Sequence, residues 1–410
     1  MTEAPWSSDM AWPTGMSPFD PFDAAIQADP YRHYAWLRAH APVIRAGRPE
    51  APLYVVSRYD DVLAGLKDSA TFVSTPPGGE VIPGLLLMLD PPAHGPLRQT
   101  ISRAFGPRAV NAIEAAVRTL VATRWDAFLA AGGGDAAAAF ATPLTMGVIA
   151  TVLGITVADA AQMRAWTNSA VDFIATRIRG VVNPDASVDS YARMRAFMAD
   201  AMDRAARDRA AGCGRDTVID ALAALREEGA LTPDEADGFA CLLFMAGHET
   251  TTLLSVNCLD QLASDPSALA WLQAGGSPAA FAEEMARFRP SVHRLTRYAA
   301  RATTIGGYDI PAGAAVRFLI ASANRDATRY ADPERFDPGR LGAAHTGFGA
   351  GMHICLGSWL ARLELRLMLE RIAATTASIA IDGARIPVEG GAFATSGLTR
   401  LDLSVTPRRM

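Results

Sequence analysis

Phe348-Gly349-Ala350-Gly351-Met352-His353-Ile354-Cys355-Leu356-Gly357 is a glycine-punctuated loop that carries one cysteine. Glycine tolerates backbone conformations and close approaches that side chains forbid, so a bulky flat ligand can lie against such a loop. The residues that follow, 358–364, predict a helix. Backbone N–H groups at a helix N-terminus favour an anion and lower the pKa of a thiol placed there. The stretch therefore predicts a thiolate at Cys355, which is typical of a metal ligand or of a redox thiol.

Composition narrows the class of protein. The chain has 410 residues, of which 50% are hydrophobic and 20% charged, and its formal net charge is −5. These values predict a large core, exclude a disordered chain and argue against a general nucleic-acid binder. Four separated cysteines without a CxxC pair disfavour a structural zinc site or a disulfide framework. We find neither a basic segment followed by an apolar one at the N-terminus nor an apolar run of about 18 residues, and we expect a cytoplasmic protein with no membrane span.

The pattern along the chain is mainly helical. Residues 1–20 are rich in proline and aromatic side chains and predict an extended arm. Helical periodicity dominates from Pro91 to about Leu272, interrupted by glycines such as Gly132–Gly134, which predict a turn. Short strands follow Gly306. With no internal repeat or linker, the sequence predicts one domain over residues 1–410, mainly α with a minor β-rich region.

The best-defined helix begins at Thr232-Pro233-Asp234-Glu235, a capping box, and should end near Ser264. It is apolar nearly all round, which predicts a central, buried helix. Its middle, Ala246-Gly247-His248-Glu249-Thr250, departs from that pattern. Ala246 and Thr250 share a face, and Gly247 would let the helix bulge and open a groove. The alternative is that Thr250 bonds back to a helix carbonyl and Glu249 meets an arginine.

Glu284 and Arg287 lie three apart on a predicted helix and can form a charge-assisted pair. Alone, such a pair is more often a solvated surface contact. Glu284 and Arg287 can therefore be interpreted either as a structural ion pair or as a solvated surface contact.

Together these stretches are similar to one family, the bacterial cytochromes P450. The loop matches FGxGxHxCxG, Glu284 and Arg287 match ExxR, and Ala246 to Thr250 matches A/G-G-x-D/E-T. The family's other motifs follow in order: Asp90-Pro91-Pro92-Ala93-His94 with Arg98, Arg297, Ala323-Asn324-Arg325-Asp326, Asp332-Pro333 and Phe336-Asp337-Pro338-Gly339-Arg340. The resemblance spans about residues 20 to 405.

The resemblance implies a fold in which a helical bundle surrounds a buried haem b. It implies that Cys355 is the proximal iron ligand, a thiolate that favours O–O cleavage. His94, Arg98, Arg297 and His353 would bind the propionates, and Phe348, Gly349, Gly357 and Ala246 would line the haem. Glu284, Arg287 and Arg340 would be structural, while Thr250 and Glu249 would guide protons to the reacting oxygen.

The resemblance also implies a distal pocket that is mostly apolar. Its candidate lining residues are Val81, Ile82, Leu85, Leu86, Phe173, Ile174, Leu242, Leu243, Val292, Leu295 and Leu398. An ordinary core position explains each of these residues equally well. His293 and Arg294 are further candidates to tether a polar group.

We find no GxGxxG motif and no iron–sulfur cysteine set, so electrons should come from outside. The resemblance implies a ferredoxin or flavodoxin with its NAD(P)H reductase, O2 as co-substrate and an apolar small-molecule substrate. Arg103, Arg108, Arg362, Arg366 and Arg371 would form a basic docking patch, or else belong to solvated helix faces. We expect a monomer with no nucleic-acid or membrane partner.

Two alternatives to monooxygenation stay open. One is a haem-thiolate binding or sensor protein that never turns over, although a sensor has no need of the Glu249–Thr250 pair. The other is a peroxide-driven or reductive member of the family, against which the same acid–alcohol pair argues.

Overall fold

The computed structural model of the protein describes residues 2–78, 82–156, 165–167, 188–340, 344–388 and 395–409. The chain divides into two compact units, each built from separated stretches. The first unit comprises residues 1–80, 279–355 and 386–399, and the second comprises residues 81–278, 356–385 and 400–410. That the whole chain acts as one domain remains a prediction.

Within the described residues the α-helices are, in chain order, α1 (Ala24–Ala28), α2 (Tyr31–His40), α3 (Tyr59–Lys67), α4 (His94–Ser102), α5 (Pro107–Ala112), α6 (Glu114–Ala130), α7 (Thr142–Leu153), α8 (Val188–Ala210), α9 (Val218–Glu227), α10 (Pro233–Ser264), α11 (Pro266–Gln273), α12 (Pro278–Phe288), α13 (Ile320–Ala323) and α14 (Ser358–Thr375). A π-helical turn, Ala137–Ala141, precedes α7, and short 3₁₀ turns occur at Ser7–Asp9, Leu86–Met88 and Gly351–His353.

The strands are β1 (Thr2–Glu3), β2 (Val43–Arg48), β3 (Ala51–Val56), β4 (Phe72–Val73), β5 (Gly133–Asp135), β6 (Leu295–Ala299), β7 (Thr303–Ile305), β8 (Tyr308–Ile310), β9 (Ala315–Phe318), β10 (Thr376–Pro387) and β11 (Leu398–Pro407). The fold is mainly α with a small β region, as the sequence predicts.

The first unit is organised around a five-stranded sheet in the order β2-β3-β9-β6-β4. Only the β3–β9 pair within it is parallel. Helix α3 packs on this sheet so closely that a Cβ at Gly65 would lie 2.2 Å from the Phe318 ring. The apolar side chains between them are almost fully buried, because the sheet's inner face and the helix exclude water from one another. A second sheet, β1-β8-β7, attaches the start of the N-terminal arm.

The second unit is mostly helical and is organised around α10, hereafter the central helix. The capping box is present: Thr232 Oγ1 accepts from the Glu235 N–H, and Glu235 Oε2 accepts from the Thr232 N–H at 2.9 Å. Its predicted start and end, Pro233 and Ser264, are confirmed. This helix is long and apolar enough to cross a membrane by length and composition, and 78% of its most apolar window is buried inside the protein. Core helices of soluble proteins pass the same test.

The β region differs in detail from the sequence prediction. The segment 305–310, which the sequence predicts as one short strand, is a hairpin of β7 and β8, because Gly306 and Gly307 adopt φ of 57° and 85° and turn the chain. Gly133 and Gly134, expected in a turn, form β5 and pair with β11. A Cβ at Gly133 would lie 2.0 Å from the Leu403 carbonyl oxygen, so the glycine permits close pairing there. Strands β2, β4 and β6 were not predicted.

Candidate active site

The cysteine loop closes on itself through its backbone. The Cys355 N–H donates to the Phe348 carbonyl at 2.8 Å, and Gly349 and Gly351 adopt left-handed φ of 73° and 70°. A Cβ at Gly351 would lie 2.2 Å from the Leu66 carbonyl oxygen, so this glycine also lets the loop rest on the end of α3. The fold uses these glycines to hold the loop in one conformation, and Cys355 is exposed at its end.

Two of the predicted propionate ligands lie in the first unit with Cys355. His353 Nε2 is 2.9 Å from Ser74 Oγ, which fixes the orientation of the imidazole ring. Arg297 lies on β6, is buried, and donates from Nη1 to the Thr296 carbonyl at 2.8 Å. Both side chains thus come from elements that the five-stranded sheet and the cysteine loop hold in place.

Glu284 and Arg287 form a buried, bidentate ion pair on α12, with Arg287 Nε and Nη2 each 2.7 Å from a Glu284 oxygen. The exposed fractions of the two side chains are only 5% and 2%. The solvated surface alternative is therefore wrong for this pair.

The pair is enclosed by further hydrogen bonds. Arg287 also donates from Nη1 to the Asn324 and Pro333 carbonyls and from Nη2 to the Arg335 carbonyl, at 2.8 to 3.1 Å. All five guanidinium N–H groups thus have an acceptor. We call Glu284, Arg287 and Arg340 the ion-pair cluster, since Arg340 Nε lies 3.3 Å from Glu284 Oε1.

The second pair of propionate candidates lies in the second unit, on α4. His94 is buried at its first position and Arg98 is half-buried one turn later. Burial, followed by the nearby positive charge of Arg98, lowers the pKa of His94. A neutral imidazole can still donate an N–H group to a carboxylate.

The middle of the central helix presents an open face. Ala246 is exposed, and Glu249 and Thr250 are half-buried, whereas the residues on either side of this stretch are buried nearly without interruption. The Thr250 hydroxyl donates to the Ala246 carbonyl at 3.0 Å, so the bond expected under the alternative interpretation is present. Such a bond occupies the donor but leaves the oxygen's lone pairs free to accept. His248 points the other way, is buried, and bonds to the Phe244 carbonyl.

Gly247 does not have the role that the sequence suggested. The helix continues through it without a bulge. A Cβ at Gly247 would lie 2.5 Å from Ile149 Cδ1, so the space beside the glycine is filled by a side chain of α7. The glycine thus permits close helix packing at this point.

The predicted substrate-contact residues differ in how far their side chains are exposed. Val81, Phe173 and Ile174 lie outside the described residues. Leu85 is fully buried, which agrees with an ordinary core residue, and Val292 and Leu295 are half-buried. The remaining members are buried with a residual exposed fraction of 6 to 8%: Ile82, Leu86, Leu242, Leu243 and Leu398.

His293 and Arg294, the polar candidates, are already engaged. The His293 ring is buried and its Nε2 lies 3.2 Å from the Tyr31 hydroxyl. Burial, followed by the positive charge of Arg294, lowers the pKa of His293 to about 3, so it is neutral at pH 7. Arg294 donates to the side-chain oxygen of Gln27. Neither side chain points into solvent as a free tether.

In each of the two units, the candidate residues fit a haem. In the first unit, Cys355 offers one exposed thiol, which suits a metal that brings its remaining ligands in a macrocycle. In the second unit, a Cβ at Gly357 would meet no atom within 4 Å, and Ala246 exposes a small apolar side chain on a helix that is otherwise buried. Among the described residues, no three His, Cys, Asp or Glu side chains form a group that could hold a metal ion.

Comparison with known proteins places the chain among enzymes. The family model "Cytochrome P450" matches residues 279–374. Erythromycin C-12 hydroxylase of Saccharopolyspora erythraea is 35% identical over 349 residues, covering 80% of this chain and 83% of that protein. The cytochrome P450 monooxygenase PikC of Streptomyces venezuelae is 35% identical over 368 residues, covering 87% and 86%.

Solved structures agree with this comparison. The cytochrome P450 CYP109Q5 from Chondromyces apiculatus matches with a TM-score of 0.82 and 30% identity, covering 96% of this chain and 99% of that one. None of these names supports the sensor alternative, because they describe hydroxylases and monooxygenases. The chain belongs to the cytochrome P450 family and is a P450 monooxygenase.

Proposed function

We propose that the protein inserts one atom of O2 into an apolar small organic molecule, by hydroxylation or a related oxidation, and releases the other atom as water. Membership of the family implies haem and O2. Haem b, when bound, supplies the oxidising chemistry. We assign Cys355 as its axial thiolate, with His94, Arg98, Arg297 and His353 on its propionates.

The open face of the central helix carries this proposal. A half-buried acid and alcohol in the middle of a mostly buried helix are costly unless the chemistry uses them. Reduction of O2 with release of water consumes protons, and Thr250 Oγ1 and the Glu249 carboxyl are placed on consecutive residues to hold and pass them. Ala246, small and exposed, leaves room beside the hydroxyl.

The thiolate assignment has a direct test. Cys355→Ser should abolish the red-shifted absorption band that reduced, CO-bound thiolate haem gives, while Cys213→Ser, at an exposed cysteine elsewhere, should leave it unchanged. A band that persists in Cys355→Ser would overturn the assignment. Screening a compound library against the holoprotein, by the spectral shift that accompanies loss of the iron-bound water, would then identify candidate substrates.

We further propose that electrons come from a ferredoxin or flavodoxin and its NAD(P)H reductase, that the protein is a cytoplasmic monomer, and that it binds neither nucleic acid nor a membrane. The predicted basic patch becomes smaller in the structure. Arg366 pairs with Glu114 and Glu370, and Arg371 pairs with Asp126. These two arginines are therefore poor candidates for docking an acidic partner.

Arg103 and Arg108 remain exposed in the second unit, where α5 packs on α14. Trp359, at the start of α14, is 52% exposed, which is unusual for so large an apolar side chain. An exposed aromatic residue near arginines is typical of a docking surface for an acidic protein. Arg108→Glu should raise the KM for ferredoxin several-fold at low ionic strength and leave the CO band unchanged. An unchanged KM would exclude this surface.

A further inference from the structure

The side of the central helix turned away from Ala246 and Thr250 packs against α7. On this side, Gly247 contacts the side chain of Ile149, which is fully buried. A Cβ on the glycine would lie 2.5 Å from Ile149 Cδ1 and 2.7 Å from Cγ1, well inside van der Waals contact. Because protein interiors are close-packed, even one added methyl group here must displace a helix or a side chain.

A hydroxyl pair forms a second contact between the same two helices. Thr145 Oγ1 lies 2.6 Å from Thr252 Oγ1, and both side chains are buried. Thr145 Oγ1 is also 3.3 Å from the Thr142 carbonyl, so it can donate there and accept from Thr252. Since buried hydroxyls are costly without a partner, this pair favours one register of the two helices.

The two contacts fix both the direction and the rotation of the central helix. Thr145 contacts Thr252, and Ile149, which lies later on α7, contacts Gly247, which lies earlier on the central helix. The two helices therefore run antiparallel where they meet, and we call this line of contact the α7 seam. At about 100° per residue, Gly247 and Thr252 point about 70° to either side of one direction, and the direction midway between Ala246 and Thr250 lies about 150° around the helix from it. The seam thus sets how far the open face is turned.

We propose that Ile149 and Thr145 are positioning residues that act through Gly247 and Thr252 to set the orientation of the Ala246–Thr250 face. The requirement for glycine at position 247 then comes from the α7 side of the helix. A rotation of about 20° would move a side-chain atom of Thr250 by about 1 Å, a displacement large enough to cost catalysis about 100-fold. This inference rests on the proposed function, because it assigns that face to the reaction.

The test compares single and double variants in the haem-loaded protein. Gly247→Ala should weaken binding of 4-phenylimidazole, whose nitrogen would ligate haem iron, by about fivefold or more. Gly247→Ala with Ile149→Ala, which removes the colliding atoms, should restore the affinity to within about twofold. Ile149→Ala alone corrects for the cavity it creates. A loss that persists in the double variant, or no loss in Gly247→Ala, would overturn the proposal.

The hydroxyl pair gives an independent measurement if Gly247→Ala does not fold. Thr145→Val removes the hydroxyl at nearly constant volume, whereas Thr145→Ser keeps it. Thr145→Val should weaken 4-phenylimidazole binding and increase the peroxide released per NAD(P)H, while Thr145→Ser should leave both near the parent values. Equal behaviour of the two variants would contradict a positioning role.

These readouts separate this inference from the proposed relay. Affinity for 4-phenylimidazole depends on the shape of the face and does not require proton transfer. Unchanged peroxide release in Thr250→Ala would therefore overturn the relay and leave the role of the α7 seam to be decided by the binding measurements.

Discussion

The ion-pair cluster and the open face of the central helix began as equivalent observations in the sequence, each an acid with a polar neighbour on a predicted helix. The structure separates them. Glu284 and Arg287 are buried and bonded on all sides, with every guanidinium N–H group satisfied. Glu249 and Thr250 are half-buried on a helix whose other faces are buried. Polar groups that are enclosed and fully bonded stabilise a fold, whereas polar groups held at an opening are available to a ligand.

This difference predicts opposite responses to substitution. Changes in the cluster should lower the free energy of unfolding and leave the proton chemistry of the surviving folded protein intact. Changes on the open face should leave the free energy of unfolding nearly unchanged and alter the proton chemistry. The following variants are ordered from the largest expected loss of stability to the smallest.

Arg287→Lys should have the largest effect on stability. Lysine keeps the charge but cannot reproduce five planar N–H donors, so at least one buried carbonyl and part of the Glu284 carboxylate lose their partner. We expect a loss of about 3–5 kcal/mol in the free energy of unfolding, or failure to accumulate haem-loaded protein. Urea unfolding followed by circular dichroism would measure the loss.

The matched control is Arg118→Lys, at an arginine that pairs with Glu114 and Glu370 while its side chain is 53% exposed. We expect a change of less than about 1 kcal/mol there. Equal effects of the two lysine variants would show that burial does not distinguish the cluster.

Arg340→Gln should have an intermediate effect. Arg340 contacts Glu284 at 3.3 Å and donates to the carbonyls of Asp332 and Arg335, both at 3.1 Å, and its side chain is only 13% exposed. Glu284 retains Arg287 and the Asp337 N–H at 2.9 Å after the substitution. We expect a loss of about 1–2 kcal/mol in the same unfolding measurement. A loss as large as that of Arg287→Lys would mean that the three residues act as one indivisible unit.

Thr250→Ala should have the smallest effect on stability, within about 0.5 kcal/mol, because the threonine is only half-buried and its hydroxyl bonds within its own helix. Haem binding should be retained, while a larger share of the electrons from NAD(P)H should appear as hydrogen peroxide instead of product. Peroxide and product per NAD(P)H, assayed with a ferredoxin and its reductase and a compound from the spectral screen, would measure this.

Thr251→Ala makes the same chemical change one residue along, where the side chain is buried. It should reduce stability without altering the ratio of peroxide to product. If both threonine variants diverted electrons equally, the relay would not be specific to the open face.

Sequence reasoning identified the elements with strong local signals. The start of the central helix is predicted at Pro233 and its end near Ser264, in agreement with the structure, because Thr232 and Pro233 begin it with a capping box and Asp265-Pro266 follows its end. The short strands β4 and β6 were not predicted, since their stability comes from pairing with each other and with β9. The sequence names the polar residues of the candidate site, but whether each is enclosed or open depends on neighbours distant in sequence.

Gly247 shows the same limit most clearly. The sequence shows a glycine within a helix, and a glycine there can serve either backbone freedom or the absence of a side chain. Both reasons require the same residue, so the sequence does not distinguish them. The contact with Ile149, almost 100 residues away, decides in favour of the second. No local pattern contains that information.

Two further glycines have a consequence for engineering substrate range. A Cβ at Gly84 would lie 2.4 Å from the Phe239 backbone nitrogen, and a Cβ at Gly238 would lie 2.2 Å from the Pro83 carbonyl oxygen, so this loop is docked backbone to backbone on the central helix. These two contacts depend on the absence of a side chain at both glycines, whereas the side chain of Leu86 takes no part in them. A mutant library that randomises Leu86 and keeps Pro83, Gly84 and Gly238 should therefore retain a higher fraction of folded members than one that also varies the two glycines.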